Sequence, residues 1–189
     1  DRSPVTQPAS AWNIANAITI TRILLVPVVV WLLFDANVTG SMTWIWALLL
    51  FVLSAATDGV DGAIARRRGL ITNLGKILDP IADKALIGVT MIVLSILGEL
   101  PWWATILVLG RELGITIYRL VVVRRKVLSA TGGGKFKTVF QIVVISIIII
   151  PASQILGEWF TLIELGLVST MVAITLVTGL QILVSQRRG

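Results

Sequence analysis

Six apolar stretches fill most of this sequence, over residues 18–34, 42–65, 74–97, 102–123, 136–156 and 160–184. Each is close to the roughly 20 residues that a helix needs to cross a hydrocarbon core. A chain built this way has few folds open to it. Lipid offers no partner to an open N–H or C=O, so each stretch must satisfy its own backbone as a helix. The environment overrides local preference: the β-branched run "VVISIIII" in the fifth stretch would suggest a strand in water and reads as helix in lipid. Composition agrees, with 14% charged residues against about 25% in a soluble domain. The expected fold class is an all-α integral membrane protein. It has six transmembrane helices, preceded by a polar tail and a short interfacial segment within 1–17, in one membrane domain over 1–189. No charged segment and small-residue cleavage site bracket the first apolar run, so no cleavable signal peptide is expected.

Basic residues orient the spans. The links at 35–41, 98–101 and 157–159 hold Asp35, Glu99 and Glu158 but no Lys or Arg. The opposite ends hold Arg66, Arg67, Arg68, Lys76, Arg124, Arg125, Lys126, Lys135, Lys137, Arg187 and Arg188. The basic side is expected to be cytoplasmic, with both termini on it and the chain in the cell membrane. Trp31, Trp44, Trp46, Trp102, Trp103 and Trp159 gather at the non-basic ends, where an interfacial belt belongs. The net charge of +6 is thus a topology signal suited to an anionic leaflet, and no nucleic-acid partner is expected.

Against this background "TDGVDGAIARRRGLITNLGKILDPIADK", from Thr57 to Lys84, stands out. A carboxylate at membrane depth costs about 3 kcal/mol unless something pairs with it. Asp58 and Asp61 are three apart near the cytoplasmic end of the second span; Asp79 and Asp83 are four apart near the start of the third. Those spacings put each pair on one helix face. Asp58 lies eight residues before Arg66, about 12 Å along a helix. Four acids converging between two helices repel one another unless cations neutralise them. The chain has no His and no Cys, so a metal must be held by oxygen, which favours Mg²⁺, Mn²⁺ or Ca²⁺, with two Mg²⁺-like ions expected. The competing structural reading is a buried ion pair or proton relay. Gly59, Gly62 and Gly75 flank the acids and permit close approach, and Arg66 offers a phosphate-matching fork.

Asp58-Gly-Val-Asp61-Gly62-Ala-Ile-Ala65-Arg66, eight residues, then Gly75-Lys-Ile-Leu-Asp79-Pro-Ile-Ala-Asp83 resembles the CDP-alcohol phosphatidyltransferase signature at every defined position. The resemblance extends to six spans with cytoplasmic termini. It implies that an alcohol hydroxyl attacks the β-phosphorus of a CDP-linked lipid, such as CDP-diacylglycerol, and that CMP leaves. It further implies that Asp58, Asp61, Asp79 and Asp83 hold metal and that Asp83 is also the general base. Asp61, Gly62, Ala65, Arg66 and Gly75 would bind the nucleotide. Asn16 and Thr19 join them through "NAITITR", which resembles the family's N-terminal element, with Ala15 in place of a proline and Ile18 in place of a leucine. A homodimer is also implied.

A second polar set bears on the acceptor. "GRELGITIYR" places Arg111, Glu112 and Arg119 within the fourth span, and "GGGKFKT" places Lys135, Lys137 and Thr138 at the start of the fifth. A mid-span Arg must face a polar cavity or a partner. Arg111, Arg119, Lys135, Lys137 and Thr138 are expected to bind a phosphate on the acceptor, with Glu112 orienting an arginine or a hydroxyl. The bland alternative is an Arg111–acid pair that fixes packing, with the lysines serving topology alone. The "RE" and "GKFKT" elements resemble those of family members that act on sn-glycerol 3-phosphate, Gly110 standing where those carry alanine. Members that make cardiolipin or phosphatidylinositol phosphate remain alternatives. A divalent-cation transporter is the alternative from another class. It would require acids continuing toward the outer side, where Glu164 stands alone near the start of the sixth span.

Overall fold

Gly40 turns the chain after its first helix. It adopts φ 64°, and its N–H returns to the Ala36 carbonyl at 3.0 Å. This left-handed cap ends a helix without a Cβ penalty. A computed structural model describes the backbone of residues 14–68, 73–122 and 132–187, and the side chains at 19–57, 84–118 and 136–184. Among the described residues every regular element is helical: α1 Ile14–Thr39, α2 Thr43–Arg68, α3 Asn73–Ile96, α4 Trp102–Val122, α5 Gly132–Ile149, α6 Ala152–Leu156 and α7 Phe160–Arg187. The chain divides into two compact units, Asp1–Thr90 and Met91–Gly189.

In the first unit α1 and α2 form an antiparallel pair. The Asp35 carboxylate accepts the Ser41 and Thr43 hydroxyls, each at 3.1 Å, and so ties the turn and the start of α2 to the end of α1. Val29, Leu32 and Leu33 of α1 are buried, as are Ala47 and Phe51 of α2, one turn apart. α1 keeps its helix through Pro27, which membrane helices tolerate when neighbours re-satisfy the freed carbonyl.

In the second unit the end of α3 meets α4 across Leu97–Pro101, where Gly98 has φ 83°. The Ser95 and Thr105 hydroxyls share a hydrogen bond of 2.6 Å between those helices. α7 packs on α4, α5 and α6. Val108, Val144, Ile145, Val168 and Met171 lie fully inside.

Among the described residues, two helical segments are long and apolar enough to cross a membrane, Thr19–Thr39 and Phe160–Val184. Among the described residues, Thr43–Thr57, Lys84–Ile96 and Phe136–Ile149 are shorter apolar helices. Leu24, Trp31 and Val38 on α1, and Leu162, Val177 and Leu180 on α7, are exposed, while Arg22, Ser54, Thr105, Lys137, Gln141 and Thr175 are buried. Apolar outside and polar inside is what lipid selects, and the reverse of what water selects. The helices fit a membrane protein.

One expectation needs correction. The fifth stretch is not one helix over 136–156: it breaks at Ile150–Pro151 into α5 and the short α6. Pro151 has no N–H to donate and its ring crowds the turn before it. Of the interfacial segment expected over Trp12–Ala17, residues 14–17 form the first turn of α1, continuous with the span that follows, and Trp12 and Asn13 lie outside the described residues.

Candidate active site

The signature acids fall on two helices of the first unit. α2 carries Asp58 and Asp61, and α3 carries Asp79 and Asp83. Gly62, Ala65 and Arg66 lie on α2, Gly75 on α3 and Asn16 on α1. The side chains at these positions lie outside the described residues. What is described is the approach to them. Thr19 is buried on α1, and one turn on, Arg22 is buried as well. The Arg22 Nε–H donates to the Ser54 carbonyl at 3.1 Å, one turn before Asp58. The Thr57 hydroxyl donates to that same region, 3.0 Å from the Ser54 carbonyl and 2.9 Å from that of Leu53. Arg22 therefore joins α1 to the acid-bearing end of α2. The sequence displayed it within "NAITITR" but gave it no role. A buried arginine directed at a backbone carbonyl is a contact that only the fold reveals.

The second unit brings two of the expected acceptor residues, Arg111 and Lys137, together on Glu112. Arg111 and Glu112 stand in the middle of α4, and Lys137 lies in the first turns of α5. Glu112 Oε1 accepts from Arg111 Nη1 at 3.1 Å and from Lys137 Nζ. One carboxylate oxygen thus gathers two cations from two helices. Lys137 is buried, and the side chains of Arg111 and Glu112 are 11% and 20% exposed. Charge-assisted bonds at that burial are about twice as strong as neutral ones and fix geometry. Thr138 is half-buried on α5 beside Lys137. Arg119 and Lys135 lie on α4 and α5, with side chains outside the described residues.

Two residues on α7 were missed. Arg111 Nη2 donates to the Thr178 hydroxyl at 3.3 Å. A Cβ placed on Gly179 would stand 2.9 Å from Arg111 Nε. Nε itself is buried and has no hydrogen-bond partner among the described residues. No signal in the apolar run of α7 marked either position, because the contact comes from packing between helices far apart in sequence.

Comparison with known proteins gives the arrangement a setting. A family model described as CDP-alcohol phosphatidyltransferase matches residues 12–182. A Mycobacterium tuberculosis protein named "Probable phosphatidylglycerophosphate synthase" is 46% identical over 141 residues, covering 75% of this chain and 68% of that one. The CDP-diacylglycerol–glycerol-3-phosphate 3-phosphatidyltransferase of Bacillus subtilis is 34% identical over 149 residues, covering 74% of this chain and 77% of its own. A CMP-forming cardiolipin synthase of Streptomyces coelicolor is 38% identical over 100 residues, covering 53% of this chain and 46% of its own.

Proposed function

The chain belongs to the CDP-alcohol phosphatidyltransferase family, and from that premise we propose that it moves the phosphatidyl group of CDP-diacylglycerol onto sn-glycerol 3-phosphate. The products are phosphatidylglycerol phosphate and CMP, a step of phospholipid biosynthesis. Relatives similar along two thirds or more of their own length carry that activity in their names. The observation that carries the acceptor is Arg111. Glu112 and Thr178 hold its two terminal nitrogens, and its buried Nε–H has no acceptor among the described residues. An unmet buried donor on a cation, beside Lys137 on the same carboxylate, suits a phosphate oxygen.

The acids suit a hard divalent cation, since a chain without His or Cys offers it oxygen alone. In this reading Asp58, Asp61, Asp79 and Asp83 hold two Mg²⁺ or Mn²⁺ ions. When bound, these neutralise charge on the pyrophosphate and on the departing CMP. Asn16, Thr19, Asp61, Gly62, Ala65, Arg66 and Gly75 hold the nucleotide end. Arg111, Arg119, Lys135, Lys137 and Thr138 hold the acceptor's phosphate. Asp83 takes the proton from the acceptor hydroxyl as its oxygen bonds to the β-phosphorus. The bond from that phosphorus to the bridging oxygen breaks, and CMP leaves with the electron pair. Six crossings with both termini cytoplasmic, the lipid entering sideways from the inner leaflet, and a homodimer complete the reading.

The test is transfer. Purified protein, CDP-diacylglycerol and Mg²⁺ are incubated with labelled alcohols, and lipid-soluble label is measured. Glycerol 3-phosphate should be taken and inositol phosphate refused. Label passing only to phosphatidylglycerol would overturn the acceptor and favour the second reading, a cardiolipin synthase, to which the Streptomyces similarity points over about half of each chain.

A further inference from the structure

We propose that Gly179 and Thr178 on α7 are positioning residues for the acceptor, holding the Arg111 guanidinium in the pose that meets the acceptor's phosphate. This rests on the acceptor reading above. It adds a third helix to a pocket that the sequence placed on α4 and α5 alone.

Three contacts define the pose. Glu112 Oε1 takes Arg111 Nη1 at 3.1 Å. Thr178 Oγ1 takes Nη2 at 3.3 Å. The Thr178 hydroxyl can only accept there, because its hydrogen is directed at its own helix, 2.8 Å from the Ile174 carbonyl and 3.0 Å from that of Thr175. The third contact is close approach. A Cβ on Gly179 would stand 2.9 Å from Arg111 Nε and 3.1 Å from Cγ. Carbon does not come so near, so any side chain at 179 moves the arginine. Gly179 is buried, and glycine weakens a helix interior, so its presence there needs a reason such as this close approach. Arginine recognises phosphate through a planar fork whose direction matters as much as its charge. A displaced fork keeps its charge and loses its aim. The effect should therefore fall on acceptor binding and spare the CDP-lipid.

The experiment titrates each substrate separately against purified Arg111→Ala, Gly179→Ala, Thr178→Val, Thr178→Ser and the double variant Gly179→Ala/Arg111→Ala. Gly179→Ala should raise the acceptor KM roughly tenfold and Thr178→Val roughly threefold, within the range of one weakened charge-assisted bond. The KM for CDP-diacylglycerol should stay within about twofold, below the scale of any lost hydrogen bond. Thr178→Ser keeps the hydroxyl and should restore the acceptor KM. With Arg111 already gone, Gly179→Ala should add nothing. If Arg111→Ala raises the acceptor KM while Gly179→Ala and Thr178→Val leave it unchanged, the seat on α7 is wrong and the acceptor pocket stands. If Gly179→Ala raises both KM values alike, or still acts without Arg111, it is ordinary helix packing and the proposal fails. If Arg111→Ala leaves the acceptor KM untouched, the pocket itself is wrong. Should Gly179→Ala not fold, the Thr178→Val and Thr178→Ser pair decides alone.

Discussion

Glu112 balances Arg111 and Lys137 on a single carboxylate oxygen, and that makes it the most consequential described acid. Removing one partner of a buried pair leaves the other charge stranded, at a cost of about 3 kcal/mol. Glu112→Gln should therefore speed thermal inactivation in micelles as well as raise the acceptor KM. Adding Lys137→Met should return part of the lost stability, because it removes one of the two cations that Glu112 balances. Inactivation half-lives of the three proteins check this, and a double variant no more stable than Glu112→Gln would refute it. The acids of the signature predict a different split. If Asp83 is the base of the proposed reaction, Asp83→Asn, which keeps an oxygen but loses the basic charge, should lower turnover roughly 10²-fold or more with nucleotide binding less affected. Asp61→Asn should mainly weaken CDP-lipid binding. Near-normal turnover of Asp83→Asn would remove its assigned role. At this scale the sequence showed whatever its own chemistry singles out: charges in an apolar run, at helical spacing. It did not show Thr178, Gly179 or the task of Arg22. A threonine, a glycine and an arginine near the start of a span are ordinary in a membrane helix until packing sets them against a partner.

Helices as units were legible where length and charge agreed, and less so where a local signal competed with length. The stretch over 136–156 has the length of one span, so its proline was read through; the structure stops α5 at Ile149 and starts α6 at Ala152. α4 and α7 were expected as separate spans, but their pairing through Arg111 and Thr178 is a long-range contact that periodicity does not encode. The pairing of α1 with α2 carries its own prediction. Arg22 spans the two helices to reach the Ser54 carbonyl at 3.1 Å, one turn from the first signature acid. Arg22→Met keeps most of the apolar stem and removes the donor. A hydrogen bond from a charged group is worth about 1.5–3 kcal/mol. The variant should lose thermal stability by that order, and CDP-lipid binding should weaken while acceptor KM holds. Unfolding midpoints and the two substrate titrations measure both. A variant with unaltered stability and unaltered CDP-lipid binding would show that the contact does not hold α2 in place.

Among the described residues each unit shows apolar side chains outward and polar contacts within, in a chain whose basic residues gather at one set of expected helix ends. Function and orientation make linked demands on it. If the four acids hold divalent metal, chelation must abolish transfer and Mg²⁺ or Mn²⁺ must restore it; full activity after thorough chelation would end the metal reading. If the acids open to the cytoplasm, where soluble acceptor and released CMP are found, the links at 35–41, 98–101 and 157–159 must face outward. The chain has no cysteine, so single cysteines can report position without a background to remove. Val38→Cys and Glu158→Cys stand at exposed positions on the side expected to be outer. Lys126→Cys lies in the basic stretch of the opposite side. In intact cells a membrane-impermeant maleimide should label the first two and leave Lys126→Cys untouched until the membrane is opened. The rule behind this counts Lys and Arg in short loops, and here it is one-sided, since those three links contain none. Labelling of Lys126→Cys in intact cells, with protection of Val38→Cys and Glu158→Cys, would invert the topology and put the acids on the wrong side for a soluble cytoplasmic acceptor. Labelling of Val38→Cys but not Glu158→Cys would mean that an odd number of crossings separates them, and α5 with its break at Pro151 would be the first place to look for the span that fails to cross.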